Sequence, residues 1–413
     1  MTPNSAGSGT GGATEPVGIV GAGIVGLAVA RQLAAGGVPV KVFEKEHEVA
    51  THQTGHNSGV VHAGIYYTPG SAKARMTRRG VSLLRAYCTE HGLTYDERGK
   101  LVIARDEAET VKLRELERRS LANGVPGIRW LPGTELRELE PEVGGVAALL
   151  SPTTAIVDYR AITNSFGTDL VRSGGELHLG TAVTGVRRVS DDRVEIDTPS
   201  GAHVLSRLVI CAGLQADLLA AAAGDTPAPE IIPFRGEYLR LRPHAAGRVR
   251  RLIYPVPDPR YPFLGVHLTP RVDGTADLGP NAVLALAREG YRRRDVSLDE
   301  LGRLVTSKAF WRLARQHWMT GVREMRGSLW RSAYLAEART YLPWVQLSDV
   351  TSAPAGVRAQ AVDPSGALVD DFRISQVGPV TSVRNAPSPA ATASMAIAEH
   401  IVAGLQLPLG KER

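Results

Sequence analysis

Cysteine is scarce in this sequence: Cys88 and Cys211 are the only two among 413 residues. They stand far apart and without metal-ligand spacing, so a disulfide framework is excluded and no metal is expected. Long apolar runs are missing as well. Stretches such as Leu218 to Ala223 fall far short of the roughly 18–20 residues that a membrane-spanning helix needs. Net charge is +6, but the arginines are scattered instead of gathered in a block. That argues against a nucleic-acid partner and for a solvated, arginine-rich surface. Residues 1–15 are rich in Gly, Ser and Thr, with neither an apolar signal core nor an Arg-rich targeting pattern. A disordered tail on a cytoplasmic chain is expected.

What is present begins with Val17 to Lys45, VGIVGAGIVGLAVARQLAAGGVPVKVFEK. Its pattern predicts a strand, a tight turn, a helix from about Ile24 to Ala35, and a second strand from Val40 to Phe43. Gly21, Gly23 and Gly26 form G-x-G-x-x-G. Gly21 makes the turn, Gly23 lets backbone approach a pyrophosphate, and Gly26 lets helix and strand pack closely. Free N–H groups at the helix start, around Ile24 and Val25, suit a diphosphate. Glu44, with Lys45 after it, ends the second strand where a carboxylate can take the ribose hydroxyls. The motif by itself does not choose between NAD and FAD, but the acid argues against NADP.

Further along, THQTGHNSGVVHAGIYYT (Thr51 to Thr68) is too polar for a strand and too rich in Gly for a helix. A long loop of this kind is usually functional. Gly55, Gly59 and Gly64 would let backbone run against a flat ring. Lys73 to His91 and Glu107 to Asn123 read as helices, LVIA after Gly99 as a strand, and Val125 to Pro141 as connection. Val204 to Cys211 reads as one apolar strand, and its small turn Cys211-Ala212-Gly213 would lie beside the first glycine loop. Leu298 to Arg331 reads as helical, with Trp311, Trp318 and Trp330 as core or lid packing. A helix beginning near Pro389 would present free N–H groups. The expected fold is α/β, α+β overall. A Rossmann-like nucleotide domain (16–91, 147–226 and 350–413), discontinuous in sequence, is expected beside a second domain (92–146 and 227–349).

Six blocks carry a family resemblance: HQTGHNSGVVHAGIYY, FLGVHLTPRVDG, LGPNAVLA, GVRAQAVD, LVDDF and NAPSPAATAS. They occur in order between His52 and Ser394. With them the chain resembles FAD-dependent oxidoreductases of the D-amino-acid-oxidase-like superfamily, and within these the L-2-hydroxyglutarate oxidase/dehydrogenase family. The resemblance implies that the Rossmann-like domain binds FAD, that the second is a substrate domain on a large mixed β-sheet, and that the substrate is a small anionic hydroxy acid. It also implies a C2 hydroxyl oxidised to a 2-oxo group, and oxygen or a quinone-type compound as electron acceptor. Quinone coupling would imply peripheral contact at the inner face of a membrane, which the basic charge allows. Cofactor contacts are expected from Gly21, Gly23, Ile24, Val25, Glu44 and Lys45. The loop would add Thr54, Asn57, Ser58, Gly59, Val60 and His62. Cys211, Ala212 and Gly213 are expected with them, as are Ala386, Pro387, Ser388, Pro389, Ala390, Ala391 and Thr392.

Removing a hydride and a proton from a hydroxy acid needs a base, most simply histidine. Two candidates stand out: His267, on a strand of the substrate domain, is the first choice, and His62, the second, is expected beside the flavin. A dicarboxylate needs cations, and the planar fork of arginine matches a carboxylate. Arg358 is the first candidate, with Arg235 and Arg271 behind it. Tyr66, Tyr67 and Tyr254 could donate to the same carboxylates, and Asn281 fits a polar pocket wall. Three alternatives stay open: another hydroxy acid, an amine or specialised-metabolism substrate, and a non-catalytic FAD-binding protein.

Overall fold

Val17–Val20 is buried along its whole length and pairs in parallel on both sides, with Arg207–Ile210 and with Val40–Phe43. A strand covered on both faces needs apolar side chains in both directions, which Val17, Ile19 and Val20 supply. It lies inside a six-stranded sheet ordered Arg373–Val377, Val380–Asn385, Arg207–Ile210, Val17–Val20, Val40–Phe43, Glu176–His178. Only the first of these pairs antiparallel. One face is covered by the helices Ile24–Ala35, Ala72–Glu90, Tyr159–Arg172 and Ala390–Gly404, packed through Leu27, Leu33, Leu84, Phe166 and Ile397. The other is covered by an antiparallel meander, Gly185–Arg188, Val194–Thr198 and Gly201–Leu205, through Val186, Ile196 and Leu205.

This computed structural model describes residues 15–257 and 265–407. The expected tail therefore lies, Glu15 apart, outside the described residues, as do Phe263 and Leu264 of the FLGVHLTPRVDG block and residues 408–413.

The second sheet has eight strands in the order Val350–Ser352, Leu239–Leu241, Ala276–Gly279, His267–Pro270, Leu252–Pro255, Lys100–Ala104, Ala147–Ser151, Arg129–Pro132. It is mixed: Leu252–Pro255 runs parallel to Lys100–Ala104, and the other pairs are antiparallel. Side chains alternate across a strand. Leu101, Ile103, Ile253, Leu268 and Leu278 face one core, with the helix Arg331–Ala338. Val102, Ala104, Leu252 and Tyr254 face the other, against the helix Glu107–Ala122 and against Val60, Ala63 and Ile65 of the glycine-rich loop. A three-stranded strip, Val283–Leu284, Glu230–Gly236 and Gly356–Val362, completes this half.

Several expectations need correction. Ala147–Ser151 and Val350–Ser352, expected with the nucleotide domain, pair into the eight-stranded sheet. Tyr95–Asp96, expected with the substrate domain, pairs instead with Ala155–Val157 beside Val60–Val61. The stretch Val125 to Pro141 is more than connection. It holds the edge strand Arg129–Pro132 and the helix Gly133–Leu139. An edge strand tolerates Pro132 because no neighbour needs its missing N–H. Val204 to Cys211 is divided at Ser206 between two sheets. The tryptophan segment is three helices, Leu298–Thr306, Lys308–Leu329 and Arg331–Ala338, and Trp311, Trp318 and Trp330 are exposed, not core.

Candidate active site

The nucleotide end is shaped by close backbone approach. A Cβ on Gly26 would sit 2.0 Å from the Gly21 carbonyl, and one on Gly21 would sit 2.6 Å from that of Cys211. Gly21 has φ of 99°, open to glycine and strained for other residues. Cys211 thus meets the first turn, as expected, and Gly213 follows it with φ of 51°. The helix Ile24–Ala35 has no side-chain cap and no acid in its first turn. Thr54 Oγ1 accepts from the Ile24 N–H at 3.1 Å, so the loop is pinned to the helix start. Asn57 shapes that loop: its amide donates to the Thr54 carbonyl, and its oxygen accepts from the Gly59 N–H at 2.8 Å.

Glu44 is buried and faces the glycine turn. One of its oxygens accepts from the Ala22 N–H at 2.7 Å and the other from the Glu46 N–H at 3.0 Å. Its neighbour Lys45 points elsewhere, pairing with Glu46 and, at 2.9 Å, with Glu289. The three groups Glu46, His52 and Glu289 could hold a cation; the Lys45 ammonium already fills that role.

A second uncapped helix start comes from Ala390–Gly404, again without an acid in its first turn. Ala386, Pro387, Ala390 and Ala391 are half-buried there and Ser388 is exposed. Thr392 is committed to the protein: its hydroxyl accepts from the His62 N–H at 3.2 Å and meets Tyr159 at 2.9 Å. These contacts tie the helix start to Val60 and His62. Ser58 is half-buried in the same loop. Two helix N-termini with no acid in the first turn, a glycine turn and a run of half-buried loop residues suit a dinucleotide whose diphosphate meets N–H groups. The buried Nδ1 of His62 and Oγ of Ser394 have no partner among the described residues, which is what atoms awaiting a ligand look like.

Across from this end, one face of the eight-stranded sheet presents polar groups. His267 opens its strand and is buried, its ring centroid 3.9 Å from that of Tyr254. Its Nδ1 lies 2.9 Å from the Gly265 carbonyl. A carbonyl only accepts, so Nδ1 carries the hydrogen and Nε2 keeps its lone pair. Burial, with the nearby charges of Lys100 and Arg358, pushes His267 down to about 3. His62 is likewise held well below its usual range, by burial first and then by Lys100, His267 and Lys73. Arg358, on Gly356–Val362, hydrogen-bonds Tyr238 and places its charge near Tyr254 and His267. Burial raises the phenols of Tyr66 and Tyr67 well above their usual range, and that of Tyr254 also rises. His62, Tyr66 and Tyr67 are half-buried.

Not every expected pocket residue joins this group. Arg235 is turned to Glu237 at 3.2 Å and to the Arg292 carbonyl. Asn281 is spent on the same residue, accepting from the Glu237 N–H at 2.7 Å and donating to its carboxylate. Arg271 bridges the Asn57 carbonyl and Asp277. These three brace the walls. One residue the sequence reading missed is Lys100, whose ammonium lies 4.0 Å from the Tyr254 ring centroid and 5.2 Å from that of Tyr66. A lysine at the head of the apolar run LVIA was the available signal.

The family model for FAD dependent oxidoreductases (DAO) matches residues 16–403. An L-2-hydroxyglutarate dehydrogenase of Escherichia coli K12 is 42% identical over 95% of this chain and 94% of its own length. The mitochondrial L-2-hydroxyglutarate dehydrogenase of Caenorhabditis elegans is 44% identical over 93% of this chain and 91% of its own. That of Homo sapiens is 42% identical over 94% and 88%. Among solved structures, a dithionite-reduced L-alpha-glycerophosphate oxidase from Mycoplasma pneumoniae with FAD bound superposes with a TM-score of 0.78 at 23% identity, over 97% of this chain and 96% of its own. At that identity it speaks for the fold.

Proposed function

Because the chain belongs to the FAD dependent oxidoreductase (DAO) family, we infer that it oxidises the C2 hydroxyl of L-2-hydroxyglutarate and releases 2-oxoglutarate. Relatives of that name match it over nearly its whole length. The observation that carries the residue assignment is an imidazole, fixed as a base, under the charge of a guanidinium. FAD, held by the glycine turn, the Thr54–Val60 loop and the start of Ala390–Gly404, supplies the two-electron acceptor when bound.

His267 Nε2 takes the hydroxyl proton, its ring oriented by the Gly265 carbonyl. A low pKa makes a weak base at neutral pH. Burial is the first cause of that low value, and the charges of Lys100 and Arg358 add to it; two carboxylates beside those cations offset the second part, so the pKa climbs as the diacid binds. Arg358 grips a carboxylate and Tyr238 steadies its guanidinium. Burial of Tyr66, Tyr67 and Tyr254 keeps them as neutral donors and excludes water. His62 stays neutral at the wall nearest the helix start.

The terminal acceptor in this reading is a membrane quinone. The helix Lys308–Leu329 carries Trp318, Val322, Met325 and Leu329 at i, i+4, i+7 and i+11, one stripe, and all four are exposed. Arg315 and Arg326 flank it, and the helix holds Lys308, Arg312, Arg315, Arg323 and Arg326 against a single acid, Glu324. Exposed tryptophan beside arginine suits an anionic lipid interface. No described helix is long and apolar enough to cross a membrane; contact at the inner face would be peripheral.

Anaerobic mixing with L-2-hydroxyglutarate tests the reaction. The yellow flavin band should bleach, and its colour should return faster with a quinone in anionic vesicles than with oxygen. A flavin that stays oxidised with L-2-hydroxyglutarate rejects the substrate. Equal return with oxygen and with vesicles rejects the acceptor.

A further inference from the structure

Five cationic side chains are buried among the described residues: Lys73, Lys100, Arg235, Arg288 and Arg384. Four meet an acid. Lys73 lies 2.8 Å from Asp370, Arg235 3.2 Å from Glu237, Arg288 2.9 Å from Glu300, and Arg384 2.9 Å from Asp225. Lys100 is the exception. It is 1% exposed, and its ammonium has no carboxylate or hydrogen-bond partner among the described residues. The rings of Tyr254 and Tyr66 flank it. Ring faces attract a cation only modestly. Removing an ammonium from water costs more. Such a group is stable as a cation only when something anionic comes to it.

Alternation along Lys100–Ala104 puts Lys100 on the same sheet face as Tyr254, His267 and Thr269. Its charge reaches His62, and the Tyr66 ring lies 5.2 Å from its ammonium. The titratable groups facing it are Tyr66 from the loop and Tyr254 from the adjacent strand. His62 and His267 feel its charge from two further elements, and Ser151 lies beside it across the strand pair. None of these is an acid.

We propose that Lys100 is a substrate-binding residue: it takes one of the two carboxylates of the diacid while Arg358 takes the other. This rests on the reading of L-2-hydroxyglutarate as substrate. It adds a consequence that the reading lacks. Burial brings the Lys100 ammonium down to about 7. Near and above neutrality part of the protein holds Lys100 uncharged, and binding a dianion there draws in a proton.

Glutarate, which has no hydroxyl to oxidise, is the probe. Titrate it into the FAD-loaded protein by calorimetry at pH 8, in buffers of different ionisation enthalpy. Wild type should take up a large fraction of one proton. Lys100→Met should take up none and bind glutarate more weakly, on the order of 30-fold or more. Lys100→Arg, whose guanidinium stays charged, should bind without proton uptake, and it serves if the methionine variant does not fold. Proton-neutral binding by wild type, or glutarate affinity within about twofold in Lys100→Met, overturns the proposal. Either result leaves oxidation of L-2-hydroxyglutarate standing. Failure of that oxidation itself is seen separately, as wild-type flavin that the hydroxy acid does not bleach.

Discussion

Between Val17 and Glu44 the residues that shape the nucleotide turn come from one continuous stretch, completed by Cys211 and by Thr54 of the glycine-rich loop. The polar face opposite draws Tyr66, Lys100, Tyr254, His267 and Arg358 from five separate segments of chain. The first region works through backbone placed at closest approach, where a single methyl matters. The second works through side chains whose burial sets their charge, and each contributes separately. The two should therefore fail differently when mutated.

The largest effect is expected at Gly26→Ala. A Cβ there would meet the Gly21 carbonyl at 2.0 Å, far inside van der Waals contact, and backbone cannot yield cheaply. The variant should purify colourless or unfolded, read by flavin absorbance and circular dichroism. Full flavin content would break the comparison at its stronger end.

Single changes in the distributed face should leave the flavin in place. For His267→Ala we expect turnover to fall about a hundredfold or more. Arg358→Ala should cost about 2–5 kcal/mol in kcat/KM for L-2-hydroxyglutarate. Both are read by steady-state kinetics beside a flavin assay. Loss of flavin in either would make this face part of the cofactor cradle and erase the contrast.

The smallest effect concerns stability. Lys100 titrates near 7 in the folded protein and near about 10.4 when unfolded. Between those values the unfolded chain binds one more proton. Substrate-free wild type should then gain stability relative to Lys100→Met as pH rises from about 7, by up to about 1.4 kcal/mol per pH unit. Below about 7 the full cost of burying the charge is present. Urea midpoints of the two proteins from pH 6 to 9 check the slope, and parallel curves would mean that Lys100 is paired or solvated.

Legibility followed the same division. The glycine turn, its helix and Glu44 could be placed from the chain because their geometry is local: three glycines at fixed spacing dictate how strand, turn and helix meet. His267 and Arg358 were chosen by chemistry, and the structure brings their charges within reach of each other. Arg235 and Asn281 were chosen on the same grounds, but Glu237 claims both. No spacing in the sequence reveals a partner that arrives from another strand. The exposed tryptophans mislead for a related reason. Apolar residues at helical spacing look the same whether a core or a lipid surface covers them.

Residue order alone settled that a dinucleotide turn opens this chain, because steric limits on backbone act between near neighbours. Only tertiary packing decided which cations are paired. Lys100 is an ammonium without an acid among the described residues because the strands that closed around it from distant segments brought tyrosine rings to its side instead. Charge acts through space, and the chain cannot state which space until it has folded.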